Sequence, residues 1–174
     1  MTQRVSDEVR ARAARVTLLV LDVDGVLTDG RVHVGLDGEQ MKVFSLRDGH
    51  GIVLAREAGI EIALLTRETS GFAHVRAEKL SIEHVVGGCL DKGPALAALA
   101  EKLGRTAEQV GYVGDDVIDI EPMRWAGFAA CPSDAEPEVM EVAHFVSRRE
   151  GGRGAVREII RTMLLARGAG TTGL

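Results

Sequence analysis

The chain of 174 residues is 45% hydrophobic and 27% charged, proportions that are typical of a globular domain and exclude disorder for the chain as a whole. A net charge of −5 and an aromatic content of 3% argue against nucleic-acid binding, which usually needs basic surfaces and stacking rings. No apolar stretch approaches the roughly 18 residues of a membrane-spanning helix, and the polar start of the chain does not suggest a signal peptide. We therefore expect one cytoplasmic domain over residues 1–174, in which Cys89 and Cys131 form no disulfide framework.

Short apolar runs alternate with amphipathic patterns along the chain. Uninterrupted runs of this length are typical of strands that are covered on both faces, and they lie at 17–21, 61–66, 84–86, 110–113, 127–131 and 144–146. The amphipathic patterns predict helices at 49–58, 71–80, 91–103 and 154–166. This alternation predicts an α/β fold, a Rossmann-like, doubly wound and mainly parallel sheet with helices on both faces.

One segment departs from this alternation directly after the first strand. Residues 31–44 alternate in polarity around Asp37-Gly38, which is a strong signal for an inserted β-hairpin. Its apolar positions, Val32, Val34, Met41 and Val43, would form an exposed strip unless another surface covers them or the strip packs on its own sheet. The glycine-rich tail at 167–174 is expected to be mobile.

Polar side chains follow four of the predicted strands, at the edge where open α/β sheets bind ligands. They are Asp22 and Asp24 after the first strand, Thr66 after the second, Lys92 after the third, and Asp115, Asp116 and Asp119 after the fourth. A lone acid at a strand end is often only a helix cap, but clustered carboxylates repel one another and need a cation. Oxygen donors favour Mg²⁺, and a neighbouring lysine and threonine suit a phosphate group. The sequence therefore predicts a metal and phosphate site.

These motifs carry a family resemblance. The run DVDGVLT from Asp22, then Thr66, Lys92 and the run GDDVID up to Asp119, are similar to the four motifs of the haloacid dehalogenase superfamily of phosphatases. Two longer segments, RDGHGI from Arg47 and GGRGAVRE up to Glu158, resemble the phosphatases of 3-deoxy sugar acids that lack a cap domain. The best-known class of these enzymes acts on 3-deoxy-D-manno-octulosonate 8-phosphate (KDO 8-phosphate). The resemblance covers about residues 16–165.

The resemblance implies a role for each strand-end residue. Asp22 would attack phosphorus and form an aspartyl-phosphate, while Asp24 would protonate the leaving oxygen and then activate water. Mg²⁺ would be held by the Asp22 carboxylate, the Asp24 carbonyl and Asp115. The remaining positions support the phosphate or the metal: Thr66 and Lys92 bind phosphoryl oxygens, and Asp116 and Asp119 order the metal site.

The second motif departs from the KDO 8-phosphate phosphatases. Those enzymes usually continue the motif as Thr-Gly-Arg, whereas this chain has Thr66-Arg67-Glu68. Glu68 with Arg76 and Lys79 resembles phosphatases of nine-carbon sugar acids such as 2-keto-3-deoxy-D-glycero-D-galacto-nononate 9-phosphate (KDN 9-phosphate). We therefore favour KDN 9-phosphate as substrate, with KDO 8-phosphate as the alternative, and with a surface charge network that binds no ligand also open. The expected substrate-binding residues are Arg47, Asp48, Gly49, Glu68, Arg76 and Lys79.

The resemblance also implies a homotetramer with active sites at the subunit interfaces, where subunit packing replaces the missing cap. Two readings of another class compete with an enzyme. A receiver-like phosphoacceptor would carry its aspartate after the third strand, where this chain has Gly87-Gly88-Cys89. A non-catalytic oligomerisation domain would not need to retain its strand-end acids and lysine.

Overall fold

A computed structural model describes residues 5–169 of the chain. Its strands are β1 (Leu18–Leu21), β2 (His33–Gly35), β3 (Gly38–Met41), β4 (Glu61–Leu65), β5 (His84–Val86), β6 (Val110–Val113), β7 (Phe128–Cys131) and β8 (Phe145–Val146). Six of them form one sheet in the order β5-β4-β1-β6-β7-β8, and every neighbouring pair is parallel. The predicted Rossmann-like sheet is confirmed, with β1 near its centre.

Helices cover both faces of this sheet. They are α1 (Asp7–Arg15), α2 (Leu46–Glu57), α3 (Phe72–Lys79), α4 (Lys92–Lys102), α5 (Ile120–Trp125), α6 (Pro137–Val142) and α7 (Ala155–Ala166). The sequence pattern predicted α2, α3, α4 and α7 but not the other three. In α1 only Ala13 is buried, and α5 and α6 are six residues long, too short to display a helical period.

Alternate side chains of β1 enter two separate cores. Leu19 and Leu21 pack with residues of α1, α2, α3 and α7, whereas Leu18 and Val20 pack with residues of α4, α5 and α6. All four are fully buried, as the unbroken aliphatic run predicted. The edge strands β5 and β8 are only half-buried, because each has a neighbouring strand on one side alone.

The predicted hairpin is present, and it stands apart from the main sheet. Strands β2 and β3 pair antiparallel, and Gly38 begins β3 at φ 103°, a conformation that favours glycine. The hairpin's large apolar side chains face solvent: Val34 is 71% exposed and Leu36 is 107% exposed. The alternative that this strip packs on its own sheet is therefore wrong for the single chain.

The start of the C-terminal tail, which was expected to be mobile, is held in place. Arg167 follows α7, and its guanidinium donates to the carbonyl oxygens of Val16 and Ala58, so the start of the predicted tail is anchored. The rest of that tail, residues 170–174, lies outside the described residues. Between residues 5 and 169, no helix combines the length and the apolar composition that crossing a bilayer requires.

Candidate active site

The carboxyl ends of the central strands meet at one edge of the sheet and form a cleft of about 430 Å³. The sheet order places the end of β1 between the ends of β4 and β6, so the predicted strand-end residues converge. The cleft is lined by Asp22, Asp24, Thr66, Arg67, Glu68, Leu90, Lys92, Asp115, Asp116 and Ile118. Six of the seven residues predicted at strand ends are in this lining, and the seventh, Asp119, is buried behind it.

The loop after β1 is shaped by a threonine and a glycine. The Thr28 hydroxyl oxygen accepts hydrogen bonds from the backbone N–H groups of Gly25, at 3.3 Å, and Gly30, at 3.2 Å. Gly25 has φ 86°, and a Cβ atom there would lie 1.9 Å from Asp115 Oδ2. Only glycine fits this position, because any side chain would displace the Asp115 carboxylate. The loop thereby brings the carboxylates that follow β1 and β6 together.

Lys92 and Asp119 form the buried centre of the site. The Lys92 ammonium group lies 2.8 Å from Asp22 Oδ1 and 2.7 Å from Asp119 Oδ1, and its side chain is 1% exposed. Asp119 Oδ1 also accepts a hydrogen bond of 2.7 Å from the Tyr112 hydroxyl. Its Oδ2 accepts from the backbone N–H groups of Asp115 and Asp116. Asp119 therefore holds both the lysine and the loop that carries Asp115.

Crowding of carboxylates in this buried place changes their proton affinity. Burial raises the pKa of Asp22 to about 7; the charge of Asp119 adds to the rise and the ammonium group of Lys92 opposes it. Burial, followed by the charges of Asp22 and Asp119, raises the pKa of Asp115 to about 8. The pKa of Lys92 is also raised, since burial alone would lower it but its two carboxylate partners outweigh that effect. The buried centre of the site thus has more carboxylates than cations.

These residues fit a divalent cation. Carboxylate oxygens of Asp22, Asp115 and Asp119 lie within 4.8 Å of one another. Asp115 Oδ1 is buried and has no hydrogen-bond partner among the described residues, which is expected of an oxygen atom that serves as a metal ligand. Both oxygens of Asp119 are already occupied by donors, so Asp22 and Asp115 are the available ligands. An all-oxygen set of this kind suits Mg²⁺.

A second lysine, Lys42, reaches the cleft from the base of the hairpin. Its ammonium group lies 2.9 Å from each carboxylate oxygen of Asp24, and 3.8 Å from oxygens of Glu39 and Glu68. Burial alone would lower the pKa of Lys42, but contact with Asp24, followed by the charges of Glu68 and Glu39, raises it. Lys42 therefore remains a cation.

The structure places the other predicted substrate-binding residues outside this cleft. Asp48 is buried and accepts hydrogen bonds from the backbone N–H groups of Gly154, at 3.0 Å, and Arg157, at 2.8 Å. It therefore joins α2 to the start of α7. A Cβ atom at Gly49 would lie 2.5 Å from the Arg76 guanidinium, so this glycine makes room for that side chain.

Arg76 and Lys79 do not share one environment, although they are three residues apart on α3. Arg76 is 8% exposed, donates a 2.8 Å hydrogen bond to the Ser45 carbonyl and lies over the Phe44 ring. Lys79 is exposed, and so is Arg47, which lines a separate arginine-rich depression. Within the single chain, Glu68 is the one predicted substrate-binding residue that lines the cleft.

Among the side chains that contact the predicted acids, sequence reasoning missed Lys42 and Tyr112. Tyr112 had a usable signal, because a tyrosine inside a buried strand needs a partner for its hydroxyl group. Lys42 had none, since a lysine between Met41 and Val43 in an alternating segment is expected to face solvent.

The family model of haloacid dehalogenase-like hydrolases matches residues 57–159. The 3-deoxy-D-manno-octulosonate 8-phosphate phosphatase KdsC of Escherichia coli (strain B / BL21-DE3) is 43% identical over 164 residues, which cover 94% of this chain and 87% of the relative. The chain belongs to the haloacid dehalogenase-like hydrolase family. Its relatives place it among the phosphatases of that family, so it is a phosphoric monoester hydrolase.

Solved structures agree with this assignment. The crystal structure of the KDO 8-phosphate phosphatase from Yersinia pestis aligns with a TM-score of 0.91 and 41% identity, over 94% of this chain and 89% of that one. The enzyme from Moraxella catarrhalis, in complex with a magnesium ion, a phosphate ion and KDO, aligns with a TM-score of 0.90 and 33% identity, over 93% of each chain. The expected resemblance to capless sugar-acid phosphatases is confirmed.

Proposed function

We propose that this chain is a Mg²⁺-dependent phosphatase that hydrolyses KDO 8-phosphate. The observation that carries the chemistry is the convergence of Asp22, Lys92 and Asp115 at the bottom of an open cleft that Asp24 and Thr66 also line. The names of the relatives support the octulosonate substrate. The preference for KDN 9-phosphate, which we based on Glu68, has no support from these relatives.

The first half of the reaction uses the residues that follow β1. The Asp22 carboxylate attacks phosphorus in line and forms an aspartyl-phosphate, while the bond to the sugar oxygen breaks. Asp24 gives its proton to that oxygen as the electron pair of the broken bond moves onto it. In the second half Asp24 takes a proton from the water that hydrolyses the intermediate. Lys92 and Thr66 stabilise the phosphoryl oxygens during both transfers.

Mg²⁺ would be held by the Asp22 and Asp115 carboxylates and by the Asp24 carbonyl. When bound, it offsets the repulsion between an anionic nucleophile and an anionic phosphate. Asp119 keeps Lys92 and the Asp115 loop in place through its four hydrogen bonds. Asp116 is exposed, and its side chain accepts a hydrogen bond from the Val117 N–H group, which shapes the same loop.

We further propose a homotetramer in the cytoplasm, with the hairpin at the subunit contacts. The support is the apolar hairpin surface, which includes Val34, Leu36 and Met41 and is exposed in the single chain. Packing of this surface would also explain how a chain with no cap domain encloses a large polar substrate. Outside the cleft of their own chain lie Arg47, Arg76 and Lys79. If they contact substrate, that substrate would be bound in the cleft of a neighbouring subunit. Sedimentation of the purified chain tests the assembly.

Phosphate release from three sugar-acid phosphates tests the function. The panel is KDO 8-phosphate, KDN 9-phosphate and N-acetylneuraminate 9-phosphate, compared by kcat/KM in Mg²⁺. We expect KDO 8-phosphate to have the highest value and Asp22→Asn to abolish turnover, because the amide is nearly isosteric but forms no acyl-phosphate. A higher kcat/KM for KDN 9-phosphate would overturn the substrate. An Asp22→Asn preparation that kept more than a few per cent of activity would overturn the nucleophile.

A further inference from the structure

The carboxylate of Asp24 depends on one side chain for its orientation. The Lys42 ammonium group donates a 2.9 Å hydrogen bond to Asp24 Oδ2 and lies 2.9 Å from Oδ1, and no other side chain of residues 5–169 makes a hydrogen bond or ion pair with this carboxylate. The Asp24 side chain is 31% exposed, so packing alone does not fix it. A general acid works only when its proton lies within hydrogen-bond reach of the leaving oxygen.

Lys42 is well placed to fix that carboxylate. Its own side chain is 4% exposed, although it follows a hairpin whose neighbouring residues are mostly in solvent. Contact with both oxygens restricts rotation of the carboxylate more than a single hydrogen bond would. The more distant acids Glu39 and Glu68, each at 3.8 Å, keep the lysine paired when Asp24 carries a proton.

We propose that Lys42 is a positioning residue for the proposed phosphatase reaction, which holds the Asp24 carboxylate toward the leaving oxygen. Lys42 transfers no proton. The proton moves from Asp24 to the sugar oxygen as the phosphorus–oxygen bond breaks, and Lys42 keeps its three hydrogens throughout. Because Lys42 directly follows β3, the proposal also makes the position of the hairpin a determinant of catalysis.

The test is the dependence on leaving group in Lys42→Met. A sugar alkoxide needs a proton to depart, whereas p-nitrophenolate departs without one. We compare kcat/KM, which includes steps up to loss of the leaving group and not the later hydrolysis in which Asp24 serves both substrates alike. General acid catalysis contributes about 10²–10⁴-fold, so loss of alignment should lower kcat/KM on the sugar phosphate about tenfold to a hundredfold. On p-nitrophenyl phosphate the fall should stay below about threefold.

Three further variants separate positioning from folding. Lys42→Arg can pair with both oxygens of Asp24 and should recover most of the activity. Lys102→Met makes the same substitution at the exposed last residue of α4, away from the cleft, and should match wild type on both substrates. In an Asp24→Asn background, Lys42→Met should change kcat/KM on the sugar phosphate little further, because the residue that it positions is gone.

Equal losses on the two substrates, or no loss on either, would overturn the positioning role. Equal losses accompanied by a lowered melting temperature would assign Lys42 to hairpin stability instead. These outcomes are distinct from an error in the proposed substrate, because that error would show as missing activity of the wild-type enzyme on the sugar-acid phosphates. If wild type hydrolyses no sugar-acid phosphate of the panel, the same comparison is made with whichever alkyl phosphate it does hydrolyse, against p-nitrophenyl phosphate.

Discussion

Substitution of Lys92 by methionine should destabilise the protein strongly, apart from its effect on catalysis. The ammonium group lies 2.8 Å from Asp22 and 2.7 Å from Asp119, and these partner side chains are 7% and 0% exposed. Methionine is similar in length but uncharged, so Lys92→Met leaves two carboxylates buried beside each other without a cation. Removal of one partner from such a buried arrangement costs about 3–5 kcal/mol.

The size of this loss should depend on pH. Asp22 has a pKa of about 7 in the metal-free protein, raised by burial and by Asp119 although Lys92 lowers it. Without Lys92 the folded-state pKa is higher still. A carboxyl group whose pKa is raised on folding is protonated at low pH without penalty. As the pH rises through its folded-state pKa, the free energy of unfolding of the protein falls. The variant should therefore lose more stability than wild type between pH 5.5 and pH 8.5.

Thermal unfolding in a chelating buffer measures both effects. At pH 8.5 the midpoint should fall by about 10 °C, since about 3–5 kcal/mol is lost from a domain of this size. At pH 5.5 the fall should be clearly smaller. The control is Lys102→Met, which makes the same substitution at the exposed last residue of α4 and should change the midpoint little. A shift at pH 8.5 no larger than that of the control, or an equal shift at the two pH values, would refute the reasoning.

Two further predictions concern the metal and the contact between α2 and α7. Affinity for Mg²⁺ should rise from pH 6 to pH 9, because the pKa of Asp22 is about 7 and that of Asp115 is about 8. Both carboxyl groups must lose their protons to bind the ion. Calorimetry that finds no proton release on Mg²⁺ binding would contradict this prediction. Asp48→Ala should lower the free energy of unfolding by about 2–4 kcal/mol, because two N–H groups lose their acceptor. Denaturant titration measures this loss, and Ser6→Ala, which removes one exposed cap, is the milder comparison.

The functional residues at the strand ends could be predicted because the local sequence determines where they lie. An aliphatic run that ends in acids specifies both the buried strand and the edge where it stops, and parallel neighbours bring those edges together. Asp22, Thr66 and Asp115 therefore needed no knowledge of distant contacts. Helix α1 escaped prediction for the opposite reason. It is charged on most of its surface and has no clear apolar period; Ser6 caps its first turn, but its contact with the finished sheet and α7 determines where it packs.

Helical spacing alone could not predict the environment of Arg76. A separation of three residues puts Arg76 and Lys79 on neighbouring positions of α3, but not at one depth. The Ser45 carbonyl and the Phe44 ring, which come from the segment before α2, cover Arg76 and leave Lys79 in solvent. Loss of Arg76 would thus remove a packed side chain as well as a charge, so its effect on activity cannot by itself assign a substrate contact.

Glu68 shows why charge at one position is a weak guide to substrate. From the sequence, we expected that an acid in place of the usual arginine reverses the charge beside the sugar. In the structure the Lys42 ammonium lies 3.8 Å from the Glu68 carboxylate, so the cleft keeps a cation there, supplied by the hairpin rather than by the second motif. Because opposite charges at this separation offset each other, the net field in this part of the cleft depends on the pair and not on Glu68 alone. A substrate argument must therefore treat the two residues together, and Glu68→Arg would place two cations side by side and push Lys42 toward Asp24 and Glu39.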